Sequence, residues 1–205
     1  MDLVTGDQRH VATPVRLRVL GRPAIEGVPE DHHVRPQSLE FLTYLVVRGG
    51  SAWQEDIFDD LMPEPSRRLA AQRLHTYTYN LRRTFALVGG EWPYLRLKRH
   101  QYVLDRDAFD VDLWTFRDAL AEAEMDAGAV YRAIAAYGGP LAAGTRYLWI
   151  ERYRDSARRD YVDAVAALAK NLTGRPDEAE RVLNAALRHH PDDSELLDAL
   201  TRVRR

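Results

Sequence analysis

Apolar positions recur along this chain with two different periods, and the switches between them sketch a fold. Val15, Leu17 and Val19 alternate with Arg16 and Arg18, the period-two pattern of a strand with one solvated face. Gly21-Arg22-Pro23 turns the chain, and residues 24–26 read as a short return strand. Residues 36–48 then read as a buried helix, with Leu39, Phe41, Leu42, Leu45 and Val46 wrapping much of its surface and Gly49-Gly50 ending it. A short amphipathic helix is expected over about 54–61, with Ile57, Phe58 and Leu61 inward, followed by a rigid loop over 62–65. Ser66 is a candidate N-cap for a long helix over 66–88, which Gly89-Gly90 stops. In that helix Leu74, Thr78, Leu81 and Phe85 fall at i, i+4, i+7 and i+11 and make one inward stripe. Residues 94–97 and 102–104 alternate again around Lys98-Arg99-His100-Gln101, which predicts a hairpin with a basic tip.

After Asp105 the pattern is helical only. Leu113, Phe116 and Leu120 share one face of a helix over about 112–124, and a short helix over 130–137 ends at Gly138-Gly139-Pro140. A long helix is expected over about 147–172, with Ile150, Tyr153, Ala157, Tyr161, Val165, Leu168 and Leu172 at threes and fours. Gly174-Arg175-Pro176 breaks it, and helices over 177–190 and 194–203 flank Pro191-Asp192-Asp193. Ala/Leu-rich helices joined by turns with Pro and Asp form the pattern of tetratricopeptide-like stacking, visible here as one clear repeat. The expected fold class is therefore an α+β winged helix-turn-helix followed by an all-α tetratricopeptide-like helical domain. The expected division is a flexible tail over 1–14, a winged helix over 15–107 and the helical domain over 108–205.

Charge sharpens this picture more than composition does. The chain of 205 residues is 45% hydrophobic and 29% charged, values of a globular protein, and its net charge of −2 argues weakly against a nucleic-acid partner. The distribution argues the other way. Residues 23–65 carry a net −7, and residues 66–105 carry eight Lys or Arg against Glu91 and Asp105, a net +6. On a helical wheel Arg68, Gln72, His75, Tyr79, Arg82 and Arg83 fall together, away from the apolar stripe, with no acid among them. A helix face of donors and positive charge suits the major groove of DNA. Gln72, His75 and Tyr79 are best placed for base edges. Arg68, Arg82 and Arg83 are placed for phosphates, and Lys98, Arg99 and His100 at the hairpin tip for the flanking backbone or minor groove. The competing reading is a solvated Arg-rich helix in which Arg82 or Arg83 pairs with Asp59, Asp60 or Glu64, and His75 and Tyr79 are packed or merely wet.

Other chemistry finds little support. The chain has no cysteine, which removes disulfides and thiolate metal sites and fits a reducing cytoplasm. Its N-terminus has no apolar run of a signal peptide, and nothing approaches the roughly 20 apolar residues of a membrane span. His32-His33 and His189-His190 lack the i, i+4 spacing of a helical metal site, so neither metal nor cofactor is expected. No nucleophile–base signature or glycine-rich phosphate loop is present, so no enzyme is expected. Asn171-Leu172-Thr173 matches a glycosylation acceptor by chance. Trp114, Tyr137, Tyr147, Trp149, Tyr153 and Tyr161 read as core aromatics rather than a ligand cage.

Four segments together resemble the antibiotic-regulatory (SARP-type) transcriptional activators of actinobacteria, in which an OmpR-type winged helix is fused to a bacterial transcriptional activator domain. They are Val19-Leu20-Gly21-Arg22-Pro23, then Leu74 to Phe85 with its Leu81-Arg82-Arg83, then Asp110-Val111-Asp112-Leu113-Trp114 with Phe116. The fourth combines Gly139-Pro140-Leu141 and Ala143 with Tyr147, Trp149-Ile150-Glu151 and Arg158-Arg159. The resemblance implies an activator that binds promoter repeats on double-stranded DNA through the 66–88 helix, as a homodimer on DNA. It also implies contact with a sigma or alpha subunit of RNA polymerase through the acidic stretch Glu55, Asp56, Asp59, Asp60 and Glu64, whose alternative reading is solubility. The chain departs from the family in three places. It carries Arg99 and Gln101 where the wing usually has glycines, and Thr76 and Thr78 where valine-like residues are favoured. It also reaches Arg205 after about one terminal repeat. These departures and the net charge keep open a winged-helix, tetratricopeptide-like interaction module that has lost DNA binding.

Overall fold

A computed structural model of the chain describes residues 13–204 apart from 65, 124 and 173. Most of the expected tail, residues 1–12, and the end of the expected loop at Pro65 lie outside the described residues. Strand β1 (Val15–Arg18) buries Val15 and Leu17 and exposes the arginines between them. It pairs antiparallel with β2 (Ala24–Ile25). Helix α1 (Pro36–Val47) starts on Pro36, whose missing N–H costs nothing in the first turn. Then come β3 (Ser51–Trp53), α2 (Gln54–Leu61), α3 (Arg67–Gly89), and the hairpin β4 (Leu95–Lys98) and β5 (Gln101–Leu104). The hairpin joins β3 in the order β3-β5-β4. After a 3-10 turn, β6 (Phe109–Val111) leads into helices α4 (Asp112–Glu122), α5 (Ala127–Ala136), α6 (Glu151–Asn171), α7 (Pro176–His189) and α8 (Ser194–Val203).

Two strands escape the sequence pattern. β3 and β6 are three residues each, too short for a period to show. β6 lies just beyond the expected boundary at 107/108, yet it pairs in parallel with β1, Val15 opposite Phe109 and Leu17 opposite Val111. The sheet β2-β1-β6 thus draws on both sides of that boundary.

The apolar core is continuous across it as well, running from Val15 through Leu45, Leu81 and Phe116 to Leu183 and Leu200. Helix α1 is the shared wall. At its C-terminus Gly50 N–H donates to Leu45 O and Gly49 N–H to Val46 O, with Gly49 at φ 79°, a turn that an L side chain resists. Helix α4 supplies a second donor to Val46 O and the donor to Val47 O. The Trp114 indole donates to Val46 O at 2.9 Å and the Arg117 guanidinium to Val47 O at 2.9 Å. Gly50 is also at positive φ, 100°, and a Cβ on it would crowd the Trp114 ring at 3.3 Å.

A second tie joins β1 to the helical half. The Asp112 carboxylate accepts from Val19 N–H at 2.9 Å and Leu20 N–H at 3.0 Å. Desolvation raises its pKa, against the lowering effect of these amides. Residues 138–143 run alongside the same turn, with Ala142 N–H donating to Val19 O and Gly21 N–H to Pro140 O. A Cβ on Gly138 would approach Leu20 O at 2.8 Å, so this stretch must be glycine to pass so close. Arg154 then fastens the following turns by donating to Leu141 O, Ala142 O and Thr145 O. This explains why α6 begins at Glu151 rather than near 147: the residues before it are held as turns.

At the far end, Tyr137 stacks on Tyr161 at 3.8 Å between ring centroids, and His189 and His190 pack against both rings. His190 Nε2 and the Tyr137 hydroxyl share a hydrogen bond of 2.9 Å. Burial pushes the Tyr161 hydroxyl up to about 12.

Two predictions follow from this packing. Trp114→Phe removes the second hydrogen bond to Val46 O, which keeps Gly49 N–H, so it lowers stability by about 0.5–1.5 kcal/mol in a denaturant titration; an unchanged midpoint would show that this bond adds nothing to the joint between α1 and α4. Burial holds His189 and His190 below the usual imidazole value, so the unfolded chain binds their protons more readily. Their contribution is complete above the ordinary value of 6.5 and is lost as pH falls from there through the lowered folded values. The melting temperature of the native chain therefore falls between pH 7.5 and pH 5 more steeply than that of a His189→Gln/His190→Gln variant, and parallel curves would contradict this.

Candidate DNA-binding face

Helix α3 is built as its sequence pattern demands. Ser66 Oγ accepts from Leu69 N–H at 3.4 Å, and Ala70, Leu74, Thr78, Leu81, Thr84 and Phe85 are buried. Phe85 packs against Tyr94 and Phe109, which anchors the helix end to the core. A Cβ on Gly89 would collide with the Tyr94 hydroxyl and Val15. The buried stripe turns the opposite face out. Arg68, Gln72, His75, Tyr79, Arg82 and Arg83 are all exposed, Tyr79 by 60%.

Lys98, Arg99 and His100 are exposed as well, but the tip is tighter than the sequence suggests. Lys98 and Gln101 are paired strand residues, so the turn is only Arg99-His100. Their φ angles are 48° and 65°. The type I′ form of a two-residue hairpin turn requires positive φ at both positions, which is why glycine and asparagine favour it. Here two ordinary side chains carry that strain. The tip is held from behind, because His100 O accepts Gln54 N–H, an orphan amide at the start of α2, at 2.8 Å.

The cations of residues 66–105 sort into two groups. Arg67 pairs with Asp59 at 2.6 Å and Glu55 at 3.3 Å, and Arg96 pairs with Asp105 at 3.3 Å. Arg82 donates through Nε and Nη2 to Leu95 O at 3.0 and 2.9 Å. The side chains of Arg68, Arg73, Arg83, Lys98 and Arg99 make no hydrogen bond or ion pair among the described residues, and neither do those of Gln72, His75 and Tyr79. Neither Arg82 nor Arg83 pairs with the acidic stretch, contrary to the competing reading.

That acidic stretch is largely neutralised from within. Asp56 pairs with Arg48 at 2.6 Å, and Asp60 accepts from the Tyr44 hydroxyl at 2.6 Å with Arg48 at 3.8 Å. Glu55 and Asp59 share Arg67, the first residue of α3. Glu64 alone of the five has no ion pair among the described residues, and it is exposed. Sequence reasoning missed Arg48, Tyr44 and Arg67 as the partners. The spacing Arg48 to Asp56 crosses a glycine turn and a strand, so no helical period reveals it.

A solved structure shares this fold. Mycobacterium tuberculosis EmbR, solved in complex with a low-affinity phosphopeptide, superposes with a TM-score of 0.69 at 22% identity. The match covers 92% of this chain and 54% of that one, so this chain spans about half of its length. Residues 161–203 match the model of the tetratricopeptide repeat. The fold is a winged helix followed by a tetratricopeptide-like helical domain. No curated protein matches the chain. The repeat match takes in the second half of α6 with α7 and α8, and so includes Tyr161, His189 and His190.

The strained tip yields a prediction. An L residue in the left-handed region costs about 1–2 kcal/mol, so Arg99→Asn/His100→Gly raises stability by roughly that amount in thermal or urea unfolding. A loss of stability would show that the two side chains contribute more than their backbone strain costs.

Proposed function

We propose that this protein is a DNA-binding transcriptional regulator resembling the SARP-type activators, and that it acts as an activator on promoter repeats. One observation carries the reading. The exposed face of α3 presents the donors Gln72, His75 and Tyr79 with Arg68 and Arg83, and the hairpin tip presents Lys98 and Arg99, cations whose side chains have no partner among the described residues. Exposed donors on a rigid helix suit base edges, and unpaired cations around them suit phosphates. The likeness of fold to EmbR supports the placement of α3 as the recognition helix. In this proposal a second protomer occupies the neighbouring repeat. RNA polymerase, through a sigma or alpha subunit, meets the α2–α3 connection by way of Glu64 and the outer oxygens of Glu55 and Asp59. Asp56 and Asp60 act mainly inside the protein, holding α2 to α1 through Arg48 and Tyr44.

A second reading keeps the fold and drops the DNA. It rests on an open groove of about 710 Å³ beside α6, α7 and α8, floored by Ala166, Ala169, Leu172 and Ala199, which suits a protein partner. Anisotropy titration of a mixed-sequence duplex at several salt concentrations separates the two. Four phosphate contacts give a slope of log affinity against log salt of about −3.6. Arg68→Ala and Arg83→Ala each reduce its magnitude by about 0.9 and weaken all sequences alike. Gln72→Ala changes the sequence selected from a random pool while leaving the slope in place. No binding at low salt, or binding indifferent to salt, selects the interaction module.

A further inference from the structure

Arg82 lies on the exposed face of α3 among the residues assigned to DNA, yet its guanidinium points elsewhere. Both Nε and Nη2 donate to one acceptor, Leu95 O, at 3.0 and 2.9 Å. The position of that carbonyl explains the contact. β4 is an edge strand, with β5 on one side only. Leu95 stands opposite Leu104, and Leu104 N–H donates to Gly50 O on the β3 side. The Leu95–Leu104 pair is therefore a non-hydrogen-bonded pair of the β4–β5 ladder, and the next bond runs from Asp105 N–H to Tyr94 O. Leu95 O faces away from the sheet, where no strand can meet it. Leu95 itself is 1% exposed, so its carbonyl needs a donor, and Arg82 is that donor.

We infer that Arg82 is a positioning residue, one that fixes the angle of the wing against the recognition helix rather than gripping phosphate. Other hydrogen bonds fasten the wing: β5 pairs with β3, the tip rests on α2 through His100 O and Gln54 N–H, and the base is tied by Asp105 to Arg96 and to the Trp92 indole. None of these reaches α3, which otherwise meets the base of the wing through the ring contact of Phe85 with Tyr94. The two donors of Arg82 run directly from α3 to the wing strand that carries Lys98. A planar fork with two donors on one oxygen resists rotation in a way that a single ammonium cannot. With the fork in place, Lys98 and Arg99 stand at a set offset from Arg68, Gln72 and Arg83, so one duplex can meet both surfaces at once. Without it, the outer face of β4 has no bond to the helix it flanks. The inference rests on the DNA-binding reading for its consequence, and on the hydrogen bonds alone for its structural part.

Two measurements on the full chain test it. The first needs no DNA. Amide hydrogen exchange across β4 and β5 accelerates in Arg82→Gln and in Arg82→Lys, while the buried turns of α3 around Leu74 and Leu81 keep their protection. Unchanged exchange in the wing overturns the inference, and Arg82→Lys keeps the comparison open should the glutamine variant fold poorly. The second is a double-variant cycle read by anisotropy with the mixed-sequence duplex. In the native chain Lys98→Ala/Arg99→Ala reduces the salt slope by about 1.8, the share of two phosphates. In the Arg82→Lys background the same pair changes the slope by much less, because the wing is already displaced. Additive effects, with Arg82→Lys itself retaining native affinity, mean that the charge of Arg82 meets phosphate and overturn the inference. Should the unaltered chain bind no duplex, the functional reading falls and the exchange experiment alone decides the role of Arg82.

Discussion

The last turn of α1 is the constraint on which the rest of this structure hangs. A helix ends with carbonyls that its own backbone cannot satisfy, and a buried helix cannot leave them to water. Glycines 49 and 50 answer part of the need, and Trp114 and Arg117 of α4 answer the remainder. The cost of leaving one such group bare is about 1–3 kcal/mol, a sizeable part of the stability of any domain. Because two of the donors come from α4, the end of the first helix is bonded to the helical half. The Trp149 indole, bonded to Glu40 and set edge-on to Tyr44, closes the same wall from the start of α6. α1 thus faces α3 on one side and the helical domain on the other, and α3 is left with a single direction in which to show its donors.

The electrostatics follow from this arrangement. A net charge of −2 describes the whole chain and conceals how the charges are arranged. Acids of α2 are absorbed by Arg48 on α1 and Arg67 at the head of α3. The neutralisation happens on the flank, so the cations of the outward face keep their field. At the wing, Arg99 and His100 hold a backbone shape that suits glycine. Strain of this kind persists where the surroundings fix it, and here Gln54 supplies the fixing bond. The reward is two side chains at the tip that glycine would not offer.

Much of the fold was legible in the residues because local and tertiary demands agree there. The stripe Leu74, Thr78, Leu81, Phe85 is buried as its spacing requires, and α2 and α8 occupy the residues their patterns mark. What stayed hidden depends on partners distant in sequence. β6 is a strand because β1 is beside it, and α6 starts late because Arg154 folds back on 141–145. Exposure of the α3 face was legible from the wheel, since it needs only the stripe. The diversion of Arg82 was not, since its acceptor is a carbonyl, which no side-chain pattern records.

In the proposed function the outward face of α3 and the wing tip together take hold of double-stranded DNA. Hydrogen-exchange footprinting of the full chain, with and without a saturating duplex at low salt, addresses it in one measurement. The expected result is added protection over the exposed turns of α3 from Arg68 to Arg83 and over Lys98 to Gln101, with α6, α7 and α8 unchanged. Protection confined to the helices around Ala166 and Ala199, or none anywhere, would contradict it.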